Sequence, residues 1–419
     1  MDQVVVKRIL MIAYHFPPVK GSSGIQRTLR FAQYLSEHGW SPIVLAPHPR
    51  AYSVTSNEEM GDGLNGIHVC RAFALDTAKH LSIAGRYSRL AALPDRWSSW
   101  LLGATPVGLN LIRKFRPDVI WSTYPVATAH LIGLTLHKLS GIPWVADFRD
   151  PMAQDGYPSD PLTWKTFSWL EKKVVRHANA VTFTTPGAMR EYSRRYPDRA
   201  DKFSLIENGY DEGAFLAAGN TPVGSSRLSH VPFTLVHSGI IYPNERDPTC
   251  LFGALARLLK IGAISSHTLR IVLRATGHDA YIQRMIDHAG IQSVVTLAPP
   301  VPYAEALNEM LNADGLLILQ AANCNDQIPA KLYEYLRAGR PILGLTDPEG
   351  DTGKTLLAAG INTIAPLDSE EAIERALMTF VGLLKAGAAP IASDDVIAAA
   401  SRRGRTAEFA RLLNAIATK

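Results

Sequence analysis

Short apolar runs alternate with helical patterns from residue 8, and the alternation begins afresh at residue 233, which constrains this chain more than any other feature. Arg8–Tyr14 (Arg-Ile-Leu-Met-Ile-Ala-Tyr) reads as a strand buried on both faces. A Pro/Gly/Ser loop from Pro17 to Gly24 follows, then a helical pattern from Ile25 to His38 closed by Gly39, then a strand over Ser41–Ala46. Strand, loop, helix, strand is a βαβ unit, and such units build parallel sheets. Further strands are expected at Val119–Ser122, Trp144–Asp147, Ala180–Thr184 and Phe203–Ile206. The small-residue stretch opening Ala217-Ala-Gly-Asn-Thr-Pro-Val-Gly reads as a linker. Beyond it, strands are expected at Phe233–His237, Leu269–Leu273, Val294–Leu297, Gly315–Leu319, Pro341–Leu345 and near Thr363. Helices are expected around Cys250–Ile261, Tyr303–Asn312 and Lys331–Ala338.

The expected architecture is α/β, with two Rossmann-like domains facing each other across a cleft. The first spans residues 1–218 and the second 233–394, joined by a linker at 219–232. A C-terminal helix at 395–419 is expected to return to the first domain. Ligands of doubly wound sheets bind at the carboxyl ends of the strands.

The bulk composition narrows the class. At 419 residues, 47% hydrophobic and 19% charged, the chain can bury a core without disulfides. Cys70, Cys250 and Cys324 are far apart and show no metal-ligand spacing, so a reduced cytoplasmic setting is the default and a zinc site is not expected. Met1–Arg8 has no apolar stretch of the secretory type, and no segment reads as a membrane span. Residues 1–220 carry 25 Lys and Arg against 19 Asp and Glu, while residues 221–419 carry 18 against 19. The basic excess of the first half suits phosphate-bearing ligands or an anionic membrane surface; no motif supports nucleic acid.

The segment Asp326-Gln-Ile-Pro-Ala-Lys331-Leu-Tyr-Glu334, continuing to Gly339-Arg-Pro341, carries the most chemistry. It reads as a loop opening a helix at about Ala330, ended by Gly339 and followed by a strand. A helix start offers backbone N–H groups and a positive dipole end to a phosphate. Lys331 in the first turn is unfavourable there unless an anion is near, and Glu334 could accept bonds from two sugar hydroxyls. Taken singly, each also reads as an ordinary surface side chain.

These residues resemble the retaining GT-B glycosyltransferases of family 4, in which an acidic residue, seven intervening residues and a Glu precede a helix running into Gly-x-Pro. Asp326 and Glu334 have that spacing, with Asp326 in place of the usual Glu. The resemblance implies that Glu334 binds the donor ribose and that Lys331 meets the diphosphate, with Asp326 beside them. His237-Ser-Gly239 through Arg246-Asp247-Pro248 resembles the loop whose basic residue contacts the donor phosphates, here Arg246. Gly277, at a segment bordering the base, and Ile328 and Leu332 complete the expected donor set. In the first half, Gly21, Ser22, Ser23 and Gly24 lie where the family has a glycine loop over phosphate and acceptor. Asp147, Arg149 and Asp150 stand where many members have a His-Asp pair beside the acceptor, Arg149 replacing the histidine; a structural Asp–Arg pair is an equal reading.

The resemblance implies retaining, metal-independent transfer of a sugar from a nucleotide-sugar to an acceptor. Arg246, Lys331 and Asp326 are the catalytic candidates, and no side-chain nucleophile or cofactor is named. The chain has no Asp-x-Asp, the motif with which many sugar transferases hold a metal. Two basic, Trp-bearing patches point to peripheral binding at the inner face of the cell membrane and to a lipid-linked saccharide acceptor in bacterial surface polysaccharide synthesis. One holds Arg86, Arg89, Arg96, Trp97, Trp100, Arg113, Lys114 and Arg116; the other holds Trp164, Lys165, Trp169, Lys172, Lys173 and Arg176. The alternatives are a nucleotide-sugar 2-epimerase of the same fold and a non-catalytic two-lobed binding protein. A dehydrogenase is disfavoured because no GxGxxG follows either opening strand.

Overall fold

The computed structural model describes residues 6–19, 24–55, 64, 66–219 and 232–418. It contains two compact units, Met1–Asn208 with Arg402–Lys419, and Gly209–Ser401.

The first unit is built on seven strands: β1 (Lys7–Ile12), β2 (Trp40–Pro47), β3 (His68–Ala72), β4 (Val119–Thr123), β5 (Trp144–Arg149), β6 (Ala180–Phe183) and β7 (Phe203–Leu205). They form one parallel sheet in the order β3-β2-β1-β4-β5-β6-β7. Ile9, Leu10, Met11 and Ile12 are all fully buried, because both faces of the sheet are covered. Alternate residues serve opposite cores: Leu10, Ile12 and Ile120 enter one, Ile9, Met11 and Trp121 the other. The edge strand β3 was not expected; its residues before Ala72 are half-buried or exposed, so it lacks the apolar run that marks the others.

The expected helix over 395–419 is divided into Asp394–Ala399 and Arg402–Ala417. Between them the Tyr210 N–H donates to the Ala400 carbonyl at 3.2 Å, and only the second helix belongs to the first unit. That helix sets Phe409, Leu413 and Ile416 on one face and buries them with Phe31 and Trp121, the Phe31 and Phe409 rings lying 4.8 Å apart. Side chains of this size stabilise by roughly 1.5–3 kcal/mol each when fully buried.

The second unit carries β8 (Phe233–Ser238), β9 (Leu269–Arg274), β10 (Val295–Ala298), β11 (Gly315–Leu319), β12 (Ile342–Leu345) and β13 (Ile364–Ala365), parallel in the order β10-β9-β8-β11-β12-β13. Both sheets therefore reverse direction beside their first strand, at β1/β4 and at β8/β11. Such a reversal opens a crevice at the carboxyl ends of the strands. The first boundary falls at Asn208 rather than at residue 218. Phe215 is buried in the second unit's core and Arg337 grips Glu212 with two N–H groups, so the helix Glu212–Ala218 packs there. Of the expected linker, residues 220–231 lie outside the described residues.

Candidate active site

In the second unit the site grows from the end of β8. His237 is wholly buried, and its Nδ1 lies 2.9 Å from the Leu317 carbonyl. A carbonyl can only accept, so Nδ1 carries the proton and Nε2 is left as an acceptor. The Lys331 ammonium meets that Nε2 at 3.1 Å. Burial and the Lys331 charge hold His237 neutral, far below the ordinary histidine range. Gly239, two residues on, has φ +115°, and a Cβ there would lie 2.9 Å from Lys331 Nζ. Glycine is thus required twice, by the backbone and by the space the ammonium occupies.

Lys331 is the first residue of the helix Lys331–Ala338. Burial, and then the Arg246 charge, push its pKa down to about 7. Arg246 donates from Nη1 to the Ile240 carbonyl at 2.7 Å and lies over the Tyr242 ring. Among the described residues neither cation forms an ion pair with a carboxylate. Two neighbouring cations, one of them pushed toward neutrality by burial and by the other's charge against the opposing pull of Glu334, make a site that a polyanion would stabilise. Glu334, one turn beyond Lys331, accepts from the Tyr303 hydroxyl at 2.7 Å. Gly277 has φ +74° and abuts Ile240, and the Thr276 carbonyl accepts from the Ile241 N–H at 2.9 Å, so the two loops are stitched together.

Two expectations need correction. Ile328 and Leu332 point into the second unit's core, Leu332 with no exposure, so their side chains do not line a donor site. The helix start offers fewer free donors than expected, since the N–H groups of Leu332 and Tyr333 turn back onto the carbonyls of Pro329 and Ala330. Positive charge here comes from side chains. Asp326 is exposed on the preceding turn.

In the first unit, Gly24 opens the helix Gly24–Tyr34, while Gly21, Ser22 and Ser23 lie outside the described residues. Asp147, at the end of β5, is not available to orient an acceptor. It is wholly buried and receives Arg27 Nε at 3.0 Å, Arg27 Nη2 at 2.9 Å, Thr123 Oγ1 at 2.8 Å and Thr182 Oγ1 at 2.7 Å. Burial pushes its pKa up, but Arg27 and the hydroxyls outweigh burial and hold it below the usual carboxylate range. The Asp–Arg pair is structural, and the arginine is Arg27 rather than Arg149. Arg27 also donates to the carbonyls of Ile206 and Glu207, so one guanidinium ties a helix to β5 and to the end of β7.

Arg149 is different. It is only 9% exposed, stands at φ +63° where β5 and β6 slip register, and reaches the Tyr124 carbonyl at a long 3.5 Å. Its Nε has no hydrogen-bond partner among the described residues. His15, beyond β1, is held neutral by burial and by the Arg149 charge, its pKa pushed down to about 4. Asp150 is exposed.

The two basic patches fare unequally. Trp100 is fully buried and Trp97 packs against Tyr14 at 4.4 Å, so both are core residues; Arg89 and Arg96 are paired with Asp160 and Asp76. On the helix Pro161–His177, by contrast, Trp164 and Trp169 are 37% and 50% exposed. Among the described residues no helix is long and apolar enough to cross a membrane, and no group of three His, Cys, Asp or Glu side chains is placed to hold a metal ion.

Residues 23–209 match the model of the glycosyl transferase 4-like domain. No curated protein matches the sequence. Solved structures of the same fold cover nearly the whole chain. HepE of Anabaena in complex with UDP aligns at TM-score 0.64 and 12% identity, over 98% of this chain and 100% of that one. WaaG, a glycosyltransferase involved in lipopolysaccharide biosynthesis, aligns at 0.60 and 13%, over 97% and 99%. Sucrose-phosphate synthase from Thermosynechococcus elongatus aligns at 0.57 and 15%, over 98% and 96%. With a glycosyl transferase 4-like domain over residues 23–209, two Rossmann-type sheets and a cation-lined crevice in the second, the chain is a glycosyltransferase of the GT-B type.

Proposed function

We propose that the second unit binds a nucleoside-diphosphate sugar and that the enzyme transfers its sugar, with retention and without a metal, to a lipid-linked saccharide. The observation that carries this is the pair of unneutralised cations, Lys331 and Arg246, against Gly239 at the carboxyl end of β8. Transfer exchanges the bond from the anomeric carbon to the diphosphate oxygen for a bond to an acceptor hydroxyl, whose proton leaves with the nucleoside diphosphate. Negative charge grows on the departing diphosphate, and fixed cations there stabilise that state more than the ground state. Glu334 then takes the donor ribose. That HepE binds UDP and UDP-glucose supports a uridine donor as the first to test.

Thermal-shift titration with UDP-, GDP- and dTDP-sugars identifies the base. The responding nucleotide should bind Lys331→Ala roughly tenfold or more weakly, the scale of a lost charge-assisted hydrogen bond. Equal binding by Lys331→Ala and by the parent would refute the site. Free nucleoside diphosphate should appear only when acceptor is supplied, which separates a transferase from an epimerase, and EDTA should leave the rate unchanged.

The acceptor reading is supported by the helix Pro161–His177. Leu162, Lys165, Trp169, Lys172 and Arg176 fall on one exposed stripe, and the helix's one acid, Glu171, is buried against Arg195, Tyr192 and Tyr196. A basic stripe with Trp and Leu suits an anionic lipid surface. Parent protein should co-sediment with phosphatidylglycerol vesicles at low salt, and Trp169→Glu should not. No co-sedimentation by the parent would remove the membrane part of the proposal.

A further inference from the structure

We propose that Arg149 holds an anionic group of the acceptor, a phosphate or a carboxylate, in the space it shares with His15 and Tyr124 at the carboxyl end of the first sheet. This deepens the reading of the first unit as the acceptor domain and rests on it.

Three observations converge on Arg149. The first is backbone geometry: φ is +63° at the last residue of β5, where the register against β6 shifts. A bulky residue sits in that region only where its surroundings force it there, and such outliers cluster at ligand sites. The second is charge. Arg149 is 91% buried by its 9% exposure, yet no carboxylate lies within ion-pair distance of it among the described residues, and its Nε has no partner. Buried cations are costly unless paired. Arg27, equally deep on the helix Gly24–Tyr34 packed at the same sheet, shows what a resident partner looks like: a two-pronged contact with Asp147 and two backbone carbonyls besides. Arg149 has a single long bond to the Tyr124 carbonyl.

The third is the neighbourhood. His15 is neutral and Tyr124 keeps its phenolic proton, since burial drives its pKa far above the ordinary value. Neither competes with a ligand for the Arg149 charge, and the Tyr124 hydroxyl is held by a hydrogen bond with Tyr157. Asp150, next in the chain, is exposed; its charge is the strongest that favours the Arg149 cation, but it forms no ion pair with it among the described residues. A guanidinium edge with an unused Nε is the geometry that takes two oxygens of a carboxylate or phosphate at once.

The test silences the second unit and titrates the first. In Lys331→Ala/Arg246→Ala, inorganic phosphate, pyrophosphate and glucuronate are titrated at constant ionic strength, and melting temperature is followed. At least one should give a saturable shift. Arg149→Gln should weaken it roughly tenfold or more, the scale of charge-assisted hydrogen bonds, and Arg149→Lys should retain part of it. Phosphate or pyrophosphate responding best assigns a phosphate-bearing acceptor; glucuronate responding best assigns an acidic sugar. Arg149→Gly, which accepts the positive φ and removes the buried charge, should melt no lower than the parent and bind no anion. No saturable shift in the double variant, or unchanged binding by Arg149→Gln, overturns the proposal. So does a fall of more than about 5 °C in Arg149→Gly, which would make the guanidinium structural. Nucleotide binding by otherwise native Arg149→Gln should be normal, so failure here is distinct from failure of the donor site.

Discussion

Each of the two sheets places cations at its carboxyl end, but Arg27 in the first and Lys331 in the second are treated in opposite ways. In the first, Arg27 is neutralised by Asp147, and the pair is closed by Thr123 and Thr182. In the second, Lys331 faces a neutral histidine and a second cation. The closed pair is architecture; the open pair is a site in need of an anion. Side-chain type does not separate the two cases, since each is a basic residue near the start of a helix. What separates them is whether the protein itself supplies the counter-charge.

The largest effect should come from opening the closed pair. Asp147→Ala leaves Arg27 buried and unpaired, and breaking such a pair costs about 3–5 kcal/mol. Chemical denaturation should show that loss with no specific effect on nucleotide binding by the folded fraction. A cost below about 1 kcal/mol would mean that the Arg27–Asp147 contact is not the anchor described here. The open pair makes a different prediction, in pH. Lys331 titrates at about 7 in the free protein, and a bound diphosphate favours its charged form, raising that value. Affinity should therefore be level below pH 7 and fall above it, approaching tenfold per unit until the pKa of the complex is reached. Calorimetry in buffers of different ionisation enthalpy should detect proton uptake on binding above pH 7. Lys331→Ala should abolish both the slope and the uptake.

The same contrast explains what could be read in advance. Strands buried on both faces announce themselves as apolar runs, so both sheets were legible except β3, whose exposed side chains break the pattern. The spacing of Asp326, Lys331 and Glu334 was legible because those residues share one loop and helix. The Asp147 cluster was not, because its members come from residues 27, 123, 147 and 182 and meet only in the fold. One signal was available: Arg27 sits on the helix stripe of Ile25, Thr28, Phe31 and Ala32, a charge on an apolar face that has to find a buried partner. Trp97 and Trp100 misled for the converse reason. Tryptophan among arginines looks the same in sequence whether it faces lipid or the core, and only Trp164 and Trp169 face outward. His237 gave no signal, since its role depends on a carbonyl 80 positions away.

The smallest expected effect probes the carboxylate that the second unit keeps at its surface. Asp147 spends all its lone pairs on the protein, whereas Glu334 is half-exposed and accepts from the Tyr303 hydroxyl at 2.7 Å. If that bond orients Glu334 toward a ribose, Tyr303→Phe removes about 0.5–1.5 kcal/mol of positioning, a two- to tenfold change. The change should appear in KM for the donor and leave kcat nearly constant, because the ribose contact is the same in the ground and transition states. Glu334→Gln should cost more than Tyr303→Phe, and the two together should cost less than their sum, since one acts through the other. Additive effects would mean that Tyr303 meets the nucleotide on its own account, with its hydroxyl turned from Glu334 to the ligand on binding.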